Sequence, residues 1–596
     1  MCGIAGMISL CQPVVREELQ AMSDALTHRG PDASGMRIID HPVHVGLAHR
    51  RLRIIDLSDA AVQPMCNEDQ SVWVCYNGEF YNFADYRAEL IAKGHVFKSE
   101  SDTETIVHLY EEYGIEETLQ RMNGMFAFAL WDQNRGKLFL ARDRMGQKPL
   151  YFREQDDLLT FASEMKAIKN GAEINQAALS DFWRFGYVPG PHTVLDGVRQ
   201  LPPAHYLTWE NGNTTMTEYW TCKMGHEQPI DASLEELTDE LESLLLDAIR
   251  LRLISDVPLG LFLSGGVDSN VICALANKLA TGSLDTYTIA FASDAHNEAD
   301  HAAAVAQHLG LRNRTFTVDE QLSDAFPMIA RQFDQPFGDF SAIPTYFVCK
   351  KTKEHATVAL SGDGGDELFG GYNHYFDALQ LFAGKRLGRS FTLREKMAAV
   401  FKRGSSPSMA FANWARLLQD KHLERILLDP VAREMDAKVG VAQGMNGNAL
   451  AGMQAIDIAT YLPDDILCKV DRMSMAVSLE CRSPFLDYRV VEFAAKLPYE
   501  AKIDPQGGGK RILRELLSRY LPADLYERPK SGFTPPWERW CAGPIRDELV
   551  AGWDILPETL FQPDALNFLA PEDGSANPLL SWCAYSCVQF FQSLDT

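Results

Sequence analysis

Two apolar runs in the second half of the chain each end in a glycine-rich turn, and this pair constrains the fold more than any other feature. LGLFLSGGVDSN, residues 259–270, runs from a strand into Ser264, Gly265 and Gly266, after which Asp268 and Ser269 open a helix. Glycine lets the backbone turn sharply and approach a ligand closely. The freed N–H groups and the helix N-terminus make an anion site. The turn lacks Gly-Lys-Ser/Thr, so it is not the loop that grips a transferring γ-phosphate. Its aspartate suits Mg2+ held against a pyrophosphate. ALSGDGGDELFGGY, residues 359–372, repeats the plan with Asp363, Asp366 and Glu367 in the turn. Carboxylates clustered at a strand's C-terminal end are unfavourable without a cation, so this turn is expected to supply a second Mg2+ ligand. Ligands bind at that edge of a parallel sheet. A plain strand-to-helix turn would account for SGG alone; SGG followed by Asp and Ser after an apolar strand favours a nucleotide.

Around these turns, short apolar runs alternate with helix-like sequence. This pattern implies a mostly parallel α/β sheet, introduced by the long amphipathic stretch SLEELTDELESLLLDAIRLRLIS and followed after about 450 by largely helical sequence. The first part of the chain differs. SVWVCYNGEFYN, MFAFALWD and KLFLARDR read as strands, and VREELQAMSDAL and DTETIVHLYEEY as helices, an α+β layer pattern. The turn-rich stretch WENGNTTMTEYW and the segment after it place a linker at 208–232, between a unit at 1–207 and a second at 233–596. With 596 residues, more than one domain is expected.

A formal net charge of -25 argues against broad nucleic-acid binding. The run from Lys385 to Arg403 is locally basic; a solvated helical face is the better reading, with an anionic partner the rival. No apolar run is long enough to cross a bilayer, and the N-terminus lacks the basic-then-apolar pattern of a signal peptide. The 12 cysteines include no CxxC pair, which disfavours a zinc ribbon and reads as a reduced, cytoplasmic protein.

Cys2 stands apart. Loss of Met1 makes it the N-terminal residue, where a nucleophile can use its own α-amino group. SGGVDS, SGDGGDELFGGY, KVDRMSMAVSLECRSPFLD and RPKSGF resemble the synthetase half of glutamine-hydrolysing asparagine synthetases. MCGIAG, HRGPD, HRRLRIIDLS, YNGEFYN and FASEMKAI resemble the glutaminase half of the same family, and the motifs fall in the family's order.

The resemblance implies an N-terminal four-layer αββα glutaminase of the N-terminal-nucleophile type and a C-terminal ATP-pyrophosphatase-type synthetase with added helices. It implies that Cys2 attacks the glutamine side-chain amide. An α-amine with a pKa of about 7.7–8 is a better base near neutrality than lysine. By the same resemblance Arg51 holds the glutamine α-carboxylate, Asp102 its ammonium, and Asn77 and Gly78 form the oxyanion hole. Leu52, Ile54, Ile55 and Glu79 line the pocket.

In the second unit, Leu263, Ile289, Ser361 and Gly362 match adenosine contacts. Ser264, Gly265, Gly266 and Ser269 match the pyrophosphate cradle, and Asp268 and Asp366 the Mg2+ ligands. Lys530 matches the lysine that stabilises charge at the α-phosphate, with Lys510 as an alternative; for either lysine alone a surface role is the better reading. The implied substrates are glutamine, ATP and a carboxylate, and an internal, mostly apolar channel is expected to carry ammonia between the sites.

Aspartate is the preferred acceptor. Asp363, where many asparagine synthetases carry Glu, keeps a sugar acid or peptide side chain open. A non-catalytic regulatory relative is the other alternative, against which Cys2, Asp268 and Asp366 are all present. A homodimer is compatible with the resemblance.

Overall fold

The computed structural model describes residues 1–594 apart from 41, 170, 281, 283, 292–297, 319–321, 383–416, 419, 432–447, 505–507, 528–536 and 572–576. The basic run from Lys385 to Arg403, and Lys530, lie outside the described residues.

The N-terminal unit is two stacked sheets. One contains β1 (Gly3–Ser9), β2 (Ala33–Ile39), β3 (His44–Arg51), β8 (Tyr151–Gln155), β9 (Leu158–Ala162) and β10 (Val198–Gln200), in the order β10-β8-β9-β1-β3-β2. The other contains β4 (Met65–Cys66), β5 (Val72–Phe80), β6 (Gly124–Asp132), β7 (Lys137–Arg142), β11 (His205–Glu210) and β12 (Asn213–Glu218), in the order β12-β11-β7-β6-β5-β4. Neighbouring strands pair antiparallel throughout. Ile4, Ile8, Val45 and Leu47 of the first sheet pack against Trp73, Cys75, Ala127, Ala129 and Leu140 of the second. The outer face of the first sheet meets α1 (Arg16–Asp24) and α4 (Gln176–Phe185). The outer face of the second meets α2 (Ala84–Ala92) and α3 (Asp102–Arg121). Both sheets are covered on both faces, so their central strands read as apolar runs rather than as clean alternation. The expected αββα layering is present.

Residues 208–210 and 213–218, read above as linker, are strand residues. Asn211 and Gly212 both have positive φ, 51° and 78°, which is the backbone of a two-residue hairpin turn. That turn joins β11 to β12, with Glu210 opposite Asn213. β12 is an exposed, polar edge strand, so its sequence carries no apolar signal. The sheet therefore runs past the expected boundary, and Tyr219 is tied back by its hydroxyl to the Arg142 carbonyl at 2.9 Å.

The C-terminal unit opens with α5 (Leu234–Arg252), whose start is fixed by reciprocal bonds between Ser233 and Glu236. Its sheet has five parallel strands: β13 (Leu259–Phe262), β14 (Asp285–Phe291), β15 (Arg312–Val318), β16 (Val358–Leu360) and β17 (Glu480–Arg482). Their order is β15-β14-β13-β16-β17. The chain winds outward from β13 to β15, returns to β16 on the other side of β13, and continues to β17. The order therefore reverses between β13 and β16, which is where open α/β sheets bind ligands. The glycine-rich turns follow these two strands.

The two units share buried ion pairs. Arg29, fully buried, donates to both carboxylate oxygens of Asp471 at 2.8 and 3.0 Å and to Glu164 at 2.7 Å. Arg472 reaches Glu164 at 3.0 Å and Asp334 at 3.3 Å. Removing one partner of such a cluster strands the others' charge in a low dielectric. Arg29→Ala is expected to destabilise the chain by about 3–5 kcal/mol, read as a lower urea midpoint. A midpoint within error of the parent would refute the structural weight given to this cluster.

Candidate active sites

Cys2 lies just before β1, 8% exposed. Its backbone N–H donates to Asn77 Oδ1 at 2.9 Å, and its Sγ lies 4.0 Å from the Leu52 carbonyl. Asn77 is the sixth residue of β5, and its Nδ2 is buried without a hydrogen-bond partner. A buried amide with unused donors next to a thiol has the chemistry of an oxyanion site. Gly78 follows, opposite Phe126 in the β5–β6 register. Burial pushes the Cys2 thiol above its ordinary value, against the pull of the nearby N-terminal ammonium and Arg51. A buried thiol of this kind needs a base to become a nucleophile. His49 is not that base: burial holds its imidazole down at about 3, and its Nε2 bonds the Tyr76 carbonyl at 3.1 Å.

Arg51 ends β3 and is within electrostatic reach of Cys2 and Asp102. Its guanidinium donates to the carbonyls of Ser58 at 2.7 Å, Ile55 at 3.3 Å, and Asp56. The RIIDLS loop therefore wraps the arginine and fixes it. Asp102 is the first residue of α3, and its Oδ2 accepts the Phe80 N–H at 2.9 Å; burial pushes its carboxyl up. Leu52 and Ile54 pack with Val358 of β16, so they reach the second unit. Glu79 does the same: its carboxylate pairs with Arg482 at 3.3 Å. The structure thus brings Cys2, Arg51, Leu52, Asn77 and Asp102 together, and turns Glu79 toward the synthetase-like unit.

In the second site, Leu263 is buried and its carbonyl accepts Thr288 Oγ1 at 2.7 Å. Ser264 and Ser269 hydroxyls lie 3.1 Å apart, and Gly266 caps α6 (Val267–Leu279). Ile289 is buried in β14. The loop after β16 closes on this turn. A Cβ at Gly365 would lie 2.4 Å from Asp268 Oδ1, so only glycine allows the approach. Asp268 and Asp366 meet at one cation: Lys510 Nζ bridges Asp268 and, at 2.7 Å, Asp366.

The surface reading of Lys510 is corrected. It is 7% exposed, its backbone is left-handed at φ 60°, and the two carboxylates hold its ammonium well above the usual lysine value despite burial. The geometry establishes that both carboxylates face one cation-sized position, which is the donor chemistry a divalent metal needs.

Sequence reading missed the polar pocket beside Asp363. Asp363 Oδ2 accepts Ser361 Oγ at 2.7 Å and Ser483 Oγ at 3.4 Å. Burial raises its carboxyl, with Lys469 pulling the other way. Lys469 Nζ donates to Asp339 at 2.6 Å, and burial beside Asp339 keeps the Asp465 carboxyl well up. Lys469 begins KVDRMSM and Asp339 lies in DQPFGDFSAIPTY, stretches that carried the family resemblance without singling out either residue.

Among the described residues, no helix is long and apolar enough to cross a membrane. Residues 240–588 match the asparagine synthase family and residues 1–220 the glutamine amidotransferase domain. The chain is 36% identical to asparagine synthetase [glutamine-hydrolyzing] 1 of Bacillus subtilis over 91% of this chain and 88% of that protein. It is 32% identical to asparagine synthetase [glutamine-hydrolyzing] 3 of the same organism, covering 89% and 87%, and 28% identical to amidase chry2 of Gibberella zeae, covering 92% and 91%. With the two sites on two matching domains, the chain belongs to the glutamine-hydrolysing asparagine synthetase family of carbon–nitrogen ligases.

Proposed function

We propose that this chain converts aspartate to asparagine, using glutamine as nitrogen source and ATP to activate the acceptor. The observation that carries the reading is the convergence of Asp268 and Asp366 on one buried cation position at the sheet's switch point. Support for the glutaminase half comes from Cys2, whose N–H is already held by Asn77. Removal of Met1 turns that N–H into an α-amine in the same place, positioned to take the Cys2 thiol proton. The thiolate attacks the glutamine amide, Asn77 Nδ2 and the Gly78 backbone steady the oxyanion, and the α-ammonium returns its proton to the amide nitrogen, which leaves as ammonia while Cys2 keeps the acyl group as a thioester. Water then releases glutamate. Arg51 and Asp102 hold the substrate's α-carboxylate and ammonium.

In the other unit, the acceptor carboxylate attacks the α-phosphorus of ATP and pyrophosphate departs. Ammonia displaces AMP, and the amide forms. Leu263, Ile289, Ser361 and Gly362 would hold the adenosine, and the turn Ser264, Gly265, Gly266 and Ser269 the pyrophosphate. Asp268 and Asp366 would hold Mg2+, which supplies charge neutralisation at the phosphates. Lys510 fills that position in the structure and would move to the phosphates as the alternative to Lys530, which the resemblance assigns to the α-phosphate. A buried Lys469 next to Asp363 suits an anionic acceptor. The described cysteines carry no disulfide, which agrees with a cytoplasmic setting.

The amidase among the relatives favours keeping a second acceptor class in the test. Purified enzyme with glutamine, ATP and Mg2+ is expected to give asparagine, AMP and pyrophosphate in equal amounts when aspartate is added. Glutamine hydrolysis with no asparagine would overturn aspartate as acceptor; ADP and phosphate would overturn the reading of the turn.

Cys2→Ala should abolish glutamine-dependent synthesis and spare synthesis driven by added ammonium. Undiminished glutamine use by that variant removes Cys2 as the nucleophile. Asp268→Asn should lower synthetase turnover by at least about 100-fold, in the range reported for loss of a major charge-stabilising group, while glutaminase activity persists. Equal loss of both activities would show that Asp268 acts on folding rather than on the nucleotide.

A further inference from the structure

Away from both sites, three segments bring four ligand atoms to a common centre on the outer side of α3. Glu68 lies between β4 and β5, His95 follows α2, and His108 and Glu111 are three residues apart on α3. All four atoms lie within 4.8 Å of one another. His108 Nδ1 is 3.2 Å from Glu111 Oε2 and 3.9 Å from Glu68 Oε2. His95 Nδ1 is 3.7 Å from Glu111 Oε2 and 3.8 Å from Glu68 Oε1. Ligands placed tetrahedrally around an ion at about 2.0 Å sit about 3.3 Å from each other, so closure draws the most distant pair together by up to about 1.5 Å.

The outer sides of the two rings point to the same use. His95 Nε2 lies 3.1 Å from Glu112 Oε1, and His108 Nε2 faces Glu104 Oε1 at 3.9 Å. Each imidazole thus has a carboxylate opposite the nitrogen that faces the centre, the arrangement by which metal-binding histidines are oriented. His108 is buried to 1% side-chain exposure, edge-on to Phe97, and its Nε2 makes no hydrogen bond. The carboxylates are anchored too: Glu68 accepts the Val96 N–H at 2.7 Å, and Glu111 accepts Asn67 Nδ2 at 2.7 Å.

We propose that Glu68, His95, His108 and Glu111 form a divalent transition-metal site suited to Zn2+. Two imidazoles and two carboxylates match zinc and its neighbours; Mg2+ and Ca2+ take all-oxygen sets. The ion would fasten the β4–β5 turn and the loop 93–101 onto α3. That loop ends at Asp102, and Glu104 already holds it through the Lys98 and Ser99 N–H groups.

The test is Zn2+ titration of the full chain after chelator treatment, by calorimetry and native mass spectrometry. A Cys2→Ser/Cys11→Ser/Cys66→Ser background removes the nucleophile and the accessible thiols of the N-terminal unit. One Zn2+ per chain is expected, with a rise in Tm, and with tetrahedral-type visible absorption when Co2+ replaces it. His95→Gln/His108→Gln should weaken binding by more than about 100-fold, beyond the loss usual for an outer-shell change, and should cancel the Tm response. Glu68→Gln/Glu111→Gln, at the solvent side, provides a second variant if the first misfolds, and should also weaken binding. The proposal is overturned if chelator-treated protein takes up no Zn2+ at micromolar concentrations. It is equally overturned if the ion binds with unchanged affinity in a folded variant.

Discussion

One buried guanidinium holds the two halves in register. Arg482 is fully buried on β17. It pairs with Glu480 at 2.6 Å and Glu79 at 3.3 Å, and donates to the carbonyls of Arg252 and Ile254 at 2.8 and 2.7 Å. Its own carbonyl accepts the Ser361 N–H at 2.9 Å. Glu480 in turn receives the Met1 ammonium at 2.9 Å. A single side chain is therefore bonded to the strand that carries Asn77, to the end of α5, and through its backbone to the turn that carries Asp363. A buried charge of this sort tolerates little displacement, because each lost partner leaves an ion in a poor solvent. The consequence is that the Cys2 site and the Asp363 turn cannot move far relative to each other without breaking this junction.

Apolar and ionic side chains meet at this junction. Tyr81, Met125, Leu251 and Met475, which pack on Met1 before its removal, form an apolar cluster drawn from both units. Arg252 and Arg482 lie over the face of Tyr81, 4.2 and 5.8 Å from the ring centroid. The boundary is thus apolar around Tyr81 and ionic directly behind it.

What was legible in the sequence was whatever is contiguous. The turns at 264–269 and 361–367 declare themselves because strand, glycines and aspartate follow one another. The structure places them side by side at the switch point for that reason. Cys2 stood out by position, and its role came only with the family resemblance of MCGIAG. The burial of Lys510 was not legible. Lys510 stands 242 residues from Asp268, and a lysine beside glycines has no local mark of burial. β17 was missed because three residues, Glu-Cys-Arg, carry no period. The strand exists because β16 offers it a free edge. β12 was missed for the opposite reason: its polar residues lie on an exposed edge, and only the Asn-Gly turn before it betrays a hairpin.

Acceptor choice shows where contiguity stops helping. A side chain one methylene shorter than glutamate at Asp363 says little by itself. Its setting says more. The residue is half-buried, is bonded by Ser361 and Ser483, and has Lys469 as the nearby cation, itself claimed by Asp339. Burial next to Asp339 pushes the Asp465 carboxyl well up. An acceptor that brings a second carboxylate would find a lysine there, while an acceptor that brings an ammonium would find Asp363. What the residue type at 363 leaves open is therefore carried by its neighbours: two serines fix the Asp363 carboxylate, and the nearby lysine is held by a carboxylate 130 residues away in the chain.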